Sequence, residues 1–297
     1  MADGQGGGGT PGGDGPNAAQ VAYWNSPVSA GWLAEQERFD ALFAPLTEAA
    51  LDLAAPLPGE RAVDVGCGCG ATVLTLARRV GPGGGVLGLD VSERLVGRAR
   101  ERIAEAGLGA VARVELADAA LRPFAPEADL LFSRFGVMFF ADPVAAFANL
   151  RRASRPDGGR MVFAAWRPLA ENPWFSIPLR AARARVALPE EAPPEPGAPG
   201  PFAFDDAERV RGILDAAGWR GVEIVPHDTV LRLAGPGQVE EAARGAARVG
   251  PLARALAGAG EEVRRAAETA AAEALRPFDG PEGVSMPGAV WFVSARP

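Results

Sequence analysis

The stretch Arg61-Ala62-Val63-Asp64-Val65-Gly66-Cys67-Gly68-Cys69-Gly70 reads as a short apolar strand that runs directly into a glycine-rich turn. Glycine is needed in such a turn because the backbone must reverse sharply and let a ligand approach without side-chain obstruction. The same run, continued to Ala71, satisfies the loose G-x-G-x-x-G/A pattern of dinucleotide sites. A turn of this kind serves several nucleotide-like ligands, so it points to a fold before it points to a ligand.

Outward from the turn, strands and helices alternate. Gly70–Val80 predicts a helix, Val86–Leu89 a second strand, and Ser92–Ala106 a helix with Ser92 as its N-cap. Val111–Leu116 and Asp129–Ser133 follow as strands, Pro143–Ser154 as a helix and Arg160–Trp166 as the fifth strand. Strands separated by helices of this length predict an α/β fold, a mainly parallel sheet with helices on both faces. Ligands of such sheets bind beyond the carboxyl ends of the strands.

The flanks extend this plan. Residues 1–17 are dominated by glycine and predict a disordered tail, and 18–55 a lid of two or three helices. Residues 56–166 form the ligand-binding core, and 167–297 supply insertion or lid segments and complete the sheet. Within that last part, Trp166–Pro201 is proline-rich and Asp205–Ala217 reads as a helix. Val222–Leu233 reads as a long strand or a bent pair, Gln238–Leu275 as a helical pair and Ala289–Ala295 as a final strand.

Composition narrows the chemistry. The net charge is −7 with the arginines scattered, which disfavours a phosphate-backbone partner. All 30 basic residues are arginine. Without lysine there is no pyridoxal Schiff base and no Gly-Lys-Ser/Thr phosphate loop. Cys67 and Cys69 are too close for good disulfide geometry, and with a single histidine they make a poor zinc set, so no metal is expected. No apolar stretch is long enough to span a bilayer and no signal-like segment opens the chain, so a cytoplasmic location is the expectation.

Three acids sharpen the reading of the turn. Asp64 stands two residues before Gly66, where a carboxylate can orient the loop or a cationic ligand group. Asp90 ends the second strand, a position suited to bidentate hydrogen bonding with ribose hydroxyls, of NAD as well as of other nucleosides. Asp118-Ala119 follows the third strand, where a carboxylate can accept from an adenine amino group.

Together with Asp129-Leu130-Leu131-Phe132-Ser133 and the run Leu150–Arg160, these residues make the chain resemble a class I S-adenosylmethionine-dependent methyltransferase of the UbiE-like (ubiquinone/menaquinone biosynthesis) group. The resemblance covers roughly residues 55–166. It implies a Rossmann-like sheet of seven strands, the last antiparallel. It also implies S-adenosyl-L-methionine as cofactor, with Gly66, Gly68 and Cys69 at its methionine part, Asp90 and Val91 at the ribose, Asp118 and Ala119 at the adenine, and Ser133 at the methionyl end.

The acceptor end is less defined. Ser133-Arg134-Phe135-Gly136 is not the Asn/Asp-Pro-Pro-Tyr/Phe turn of adenine- and glutamine-N-methylating branches. Met138, Phe139, Phe140, Trp166, Trp174 and Phe175 suggest an apolar pocket for a small aromatic, quinone-like or polyketide-like acceptor, and the resemblance makes Tyr23 and Trp24 closing residues. His227 is the one candidate histidine base, with Asp228 beside it. A small-molecule acceptor is thus the expected partner, with a homodimer left open and neither nucleic acid nor membrane expected. The competing readings are an NAD(P)-dependent oxidoreductase using the same loop, weakened by the missing lysine, and a non-catalytic cofactor-binding protein.

Overall fold

A computed structural model describes residues 15–190 and 195–297. Five strands run parallel: β1 (Arg61–Val65), β2 (Gly85–Asp90), β3 (Ala112–Leu116), β4 (Leu130–Arg134) and β5 (Arg160–Trp166). The long strands β6 (Arg220–Ala234) and β8 (Gly283–Arg296) complete the sheet, and β7 (Asp279–Gly280) folds back on β8. The strand order is β3-β2-β1-β4-β5-β8-β6, with β8 antiparallel to both of its neighbours. The chain builds β1 to β3 toward one edge, then crosses to β4 on the other side of β1. This reversal beside β1 is the switch point where ligands of such sheets bind, and the loops after β1 and β4 pack against each other there.

The inner strands are apolar because both of their faces are covered. Val65, Leu89, Leu130, Leu131 and Phe132 are buried, as are Phe163, Ala164 and Ala165 of β5. Around the sheet lie α4 (Ala71–Val80), α5 (Glu93–Glu105), α6 (Pro143–Ala153) and α8 (Ala207–Ala216). Local chemistry fixes where several of them start. Asp142 accepts from Ala145 N ahead of Pro143 in α6, and Asp206 accepts from Glu208 N and Arg209 N in α8.

Three helices precede β1: α1 (Ala18–Trp24) over the carboxyl ends of the strands, α2 (Pro27–Ala34) against α5, and α3 (Gln36–Ala54), which runs along the sheet to the start of β5, where Arg160 donates to Ala54 O at 2.7 Å. A second helical group, α7 (Pro173–Arg185), α9 (Val239–Arg248), α10 (Pro251–Ala255) and α11 (Glu261–Leu275), packs beside them. The two groups meet at glycines. A Cβ on Gly31 of α2 would lie 2.7 Å from the Arg248 carbonyl oxygen, and one on Gly245 of α9 would lie 1.0 Å from Arg38 Nη1. The Arg38 guanidinium lies over Gly245, donating to Leu233 O (3.2 Å) and to Glu35 Oε2 (3.3 Å). Arg248 pairs with the other oxygen of Glu35, which is 5% exposed.

Several expectations change. The tail falls mostly outside the described residues, but its last residue, Asn17, is buried and hydrogen-bonded. The proline-rich stretch contains α7, which Pro173 can start because a first turn needs no N–H. Pro178 removes one ladder bond, while burial of Phe175, Pro178 and Ala182 holds the helix. The helical pair is three helices, divided at Gly250 and Gly260. Ser92 precedes α5 as expected, but its hydroxyl makes no capping bond; Asp90 Oδ1 instead accepts from Ser92 N at 2.9 Å.

Candidate cofactor and acceptor site

The glycine loop is held from below. Gly66 N and Cys67 N both donate to Leu89 O, at 2.8 and 3.0 Å, tying the turn to the end of β2. Gly66, Gly68 and Gly70 all have positive φ, of 72°, 52° and 82°, which a side chain rarely tolerates. Gly66 also needs its bare Cα. A Cβ there would sit 2.6 Å from Gly136 Cα, so the loops after β1 and β4 touch back to back. Ser133 joins them, donating to Val65 O at 2.7 Å and accepting from Gly136 N at 3.1 Å. Its hydroxyl, in a residue 2% exposed, is engaged within the protein rather than turned to the crevice. Gly68 is the reverse case, with nothing within 4 Å of a Cβ position.

Acids ring this loop. Asp90 Oδ2 accepts from Gly68 N at 2.8 Å, so both of its oxygens carry backbone N–H groups. Burial raises its carboxyl while the Ser92 and Gly68 amides pull the other way. Asp64 is fully buried. One of its oxygens accepts from the Thr72 hydroxyl and Oδ1 has no partner. Burial lifts this carboxyl to about 7, against the Thr72 bond and the Arg134 charge.

Arg134, the last residue of β4, is the cation of the site. Its Nη1 donates to Thr47 Oγ1 at 2.7 Å, its guanidinium lies 5.4 Å over Phe43, and its Nε is buried without a partner. Burial lowers its pKa, partly offset by Asp40 and Asp64. Arg102 fastens the loop to the lid by donating to Cys69 O (2.7 Å) and to Asp40 Oδ2 on α3 (2.6 Å). Both thiols are weakly acidic because they are buried, Cys69 being pushed up to about 11.

An unsatisfied carboxylate oxygen and an unsatisfied guanidinium N–H, close enough to perturb each other, suit a ligand with one positive and one negative group. The ammonium and carboxylate of a methionyl group are such a pair, so the residues present fit S-adenosylmethionine. Arg134 was legible only as part of a motif mismatch. Its signal was a cation directly after an apolar strand.

Asp118 and Ala119, expected at the adenine, lie under α1. Asp118 accepts from Asn17 Nδ2 and from Ala120 N, and Ala119 is buried with its carbonyl held by Asn149. The carbonyl of Val91 accepts from Asn25 Nδ2 at 2.8 Å.

On the other side of the loop lies a cluster of rings. Phe135 has φ of 69°, a strained value for a bulky residue. It stacks on Trp166 at 4.2 Å with 11° between planes. Phe43, Trp174 and Phe175 extend the cluster. Trp174 Nε1 is buried without a partner. Met138 joins through its sulfur, 3.5 Å from Trp166 N, and Phe139 meets Trp24 at 5.1 Å with Tyr23 edge-on behind it. Phe140 does not join them; it packs on Phe147 in the core of the sheet.

His227 lies on β6, stacked on Phe292 at 4.6 Å. The expected support from Asp228 is absent because successive strand residues point to opposite faces. Asp228 pairs with Arg167 instead, at 2.6 Å. Among the described residues no cluster of histidine, cysteine and acids could hold a metal, and no helix is long and apolar enough to cross a membrane.

The family description "Methyltransferase domain" matches residues 62–158, the segment from β1 to the turn before β5. Nocamycin O-methyltransferase of Saccharothrix syringae is 35% identical over 196 residues, covering 64% of this chain and 70% of that protein. Aklanonic acid methyltransferase DauC of Streptomyces sp. (strain C5) is 36% identical over 123 residues, 41% of this chain and 54% of that one. Among solved structures, YcgJ of Bacillus subtilis shares the fold, with a TM-score of 0.53 at 16% identity over 84% of this chain and 97% of that one. Taken with the loop, its acids and the strand order, the relatedness means that this chain belongs to the S-adenosylmethionine-dependent methyltransferases.

Proposed function

We propose that the chain methylates an acidic enol or phenol oxygen on a small polyketide-like or quinone-like molecule, placed by the aromatic cluster beside the glycine loop. The observation that carries this is the cluster itself. Phe43, Phe135, Trp166 and Trp174 form a continuous apolar wall next to the loop, with one buried unpartnered donor, Trp174 Nε1. The named activities of the two relatives, on nocamycin oxygen and on aklanonic acid, support the same acceptor class. The motif set supports a UbiE-like grouping, and the location proposed is cytoplasmic.

When bound, the cofactor supplies an electrophilic methyl group on a sulfonium that leaves as a neutral thioether, so no acid is required. The tasks left to the chain are alignment and exclusion of water. In this reading Asp64 and Arg134 hold the aminoacyl end, Gly68 and Cys69 lie along the methionine, Asp90 and Val91 carry the ribose, and Asp118 and Ala119 flank the adenine. Ser133 acts by joining the loops after β1 and β4. Arginine and the indole N–H accept no proton near neutral pH. No base stands among the ring cluster's own groups, so the acceptor proposed is one that ionises by itself, an enol or phenol rather than an alcohol.

The test is an acceptor screen scored by release of S-adenosylhomocysteine. Enolic and phenolic acceptors should turn over, and Trp174→Phe should raise KM for them more than it lowers kcat. Turnover confined to amines, protein or RNA would sink the proposal.

A further inference from the structure

Asn17 is 5% exposed and its carboxamide is fully engaged. Nδ2 donates to both oxygens of Asp118 at 3.0 Å, and Oδ1 accepts from Ala141 N at 2.8 Å. The amide can point only one way, since a carboxylate only accepts and a backbone N–H only donates. Asp118 and Ala141 together therefore recognise a donor and an acceptor attached to one carbon. The 6-amino group and N1 of adenine are a donor and an acceptor attached to one carbon in the same sense.

The helix that follows is pinned at its far end as well. Asn25 donates from Nδ2 to Val91 O at 2.8 Å and accepts from Glu93 N at 3.0 Å, beside the Asp90 carboxylate. Between the two asparagines, Trp24 rests edge-on against Phe139. Gln20 Oε1 on the same helix is buried without a partner, so one polar atom of the docked helix is left unsatisfied. Helix α1 thus spans the ends of β2, β3 and β4, with Asn17 on Asp118 and Asn25 on the backbone that follows Asp90.

We propose that Asn17 is an intramolecular mimic of adenine. In the latched chain its carboxamide fills the subsite made by Asp118 and Ala141, and α1 must release it before the cofactor's nucleoside can enter. The proposal rests on assigning Asp118 to the adenine. Apparent cofactor affinity is then lowered by the fraction of molecules in which α1 is docked. The latch sets affinity without touching the methyl acceptor.

Calorimetric titration of S-adenosylhomocysteine into the full chain and three variants tests this. Asn17→Ala should tighten binding on the order of tenfold, the scale set by releasing competing hydrogen bonds. Asn17→Asp, which turns a second carboxylate on Asp118, should tighten it at least as much. Asp118→Ala made in the Asn17→Ala background, where no latch is left to release, should weaken it relative to Asn17→Ala. Unchanged or weaker binding in both Asn17 variants, with the double variant weakened, overturns the mimic and leaves the adenine subsite standing. Binding by the double variant equal to that of Asn17→Ala overturns the assignment beneath it. Hydrogen exchange gives an independent readout, because protection of residues 18–24 should change on saturation with S-adenosylhomocysteine. Unaltered protection would also overturn the proposal.

Discussion

Asp64 is a strand residue with no exposed surface, one oxygen held by Thr72 and the other unpartnered, and burial lifts its carboxyl to about 7. In the unfolded chain an aspartate ionises near about 4. Between those values the folded protein holds a proton that the unfolded chain has lost. The contribution of Asp64 to stability is therefore present below about pH 4 and lost as pH rises through about 7. Asp64→Asn keeps the shape and abolishes the titration. Between about pH 4 and 7 the wild type should lose stability relative to that variant, by up to roughly 4 kcal/mol. Denaturation midpoints across pH measure this, and parallel curves would show that the carboxyl titrates normally. Asp90 differs, since its oxygens already hold two backbone N–H groups that shape the loop. Asp90→Ala should weaken S-adenosylhomocysteine binding by about 1–3 kcal/mol through loss of charge-assisted hydrogen bonds. An unchanged dissociation constant would move the ribose elsewhere.

At the scale of elements, the contact of α3 with α9 sets two effects against each other. A glycine inside a helix ordinarily gains about 1 kcal/mol when replaced by alanine. At Gly245 the new Cβ would overlap Arg38 and displace a guanidinium that donates to Glu35 and Leu233 O. Leaving buried Glu35 with a single partner outweighs the helix gain, so Gly245→Ala should destabilise by about 1–2 kcal/mol in urea unfolding. A gain would mean that Arg38 finds equivalent partners. Strand parity supplies the prediction for β6. His227 stacks on Phe292 and Asp228 faces away to Arg167, so His227→Ala should change kcat by less than about threefold if no base is used. A loss of a hundredfold would restore the histidine to catalysis.

The same elements show what a sequence can and cannot reveal. Strands β1 to β5 were legible to within one or two residues, because burial on both faces writes β1, β2, β4 and β5 as largely apolar runs and the edge strand β3 alternates. The places of Asp64, Asp90 and Asp118 were legible because each lies within two residues of the end of an apolar or alternating run. Helix α7 was hidden by its two prolines, and three helices were read as two. The Glu35–Arg38–Gly245 contact joins residues some two hundred positions apart, with no local pattern to announce it. Asn17 lay beside a glycine-rich run and took on the character of its neighbours. What identifies it is its distance from Asp118, which only the fold determines.

For the whole molecule, the ligand crevice lies between parts that are anchored differently. The ring cluster is built on α3, α7 and the ends of β4 and β5, which Phe43, Trp174, Phe135 and Trp166 join. Helix α2 is fixed too, where Gly31 meets the carbonyl of Arg248 with no room for a side chain. The chain between α1 and α2 is short, Asn25-Ser26, and Ser26 already caps α2. Any swing of α1 is thus confined to the arm before that joint. With the latch proposed above, affinity for the cofactor is adjusted through α1, apart from the ring cluster. Grafting residues 15–25 between relatives of this fold should retune the first and leave the second intact, so a lineage can adapt to a scarce methyl donor without giving up the product it makes.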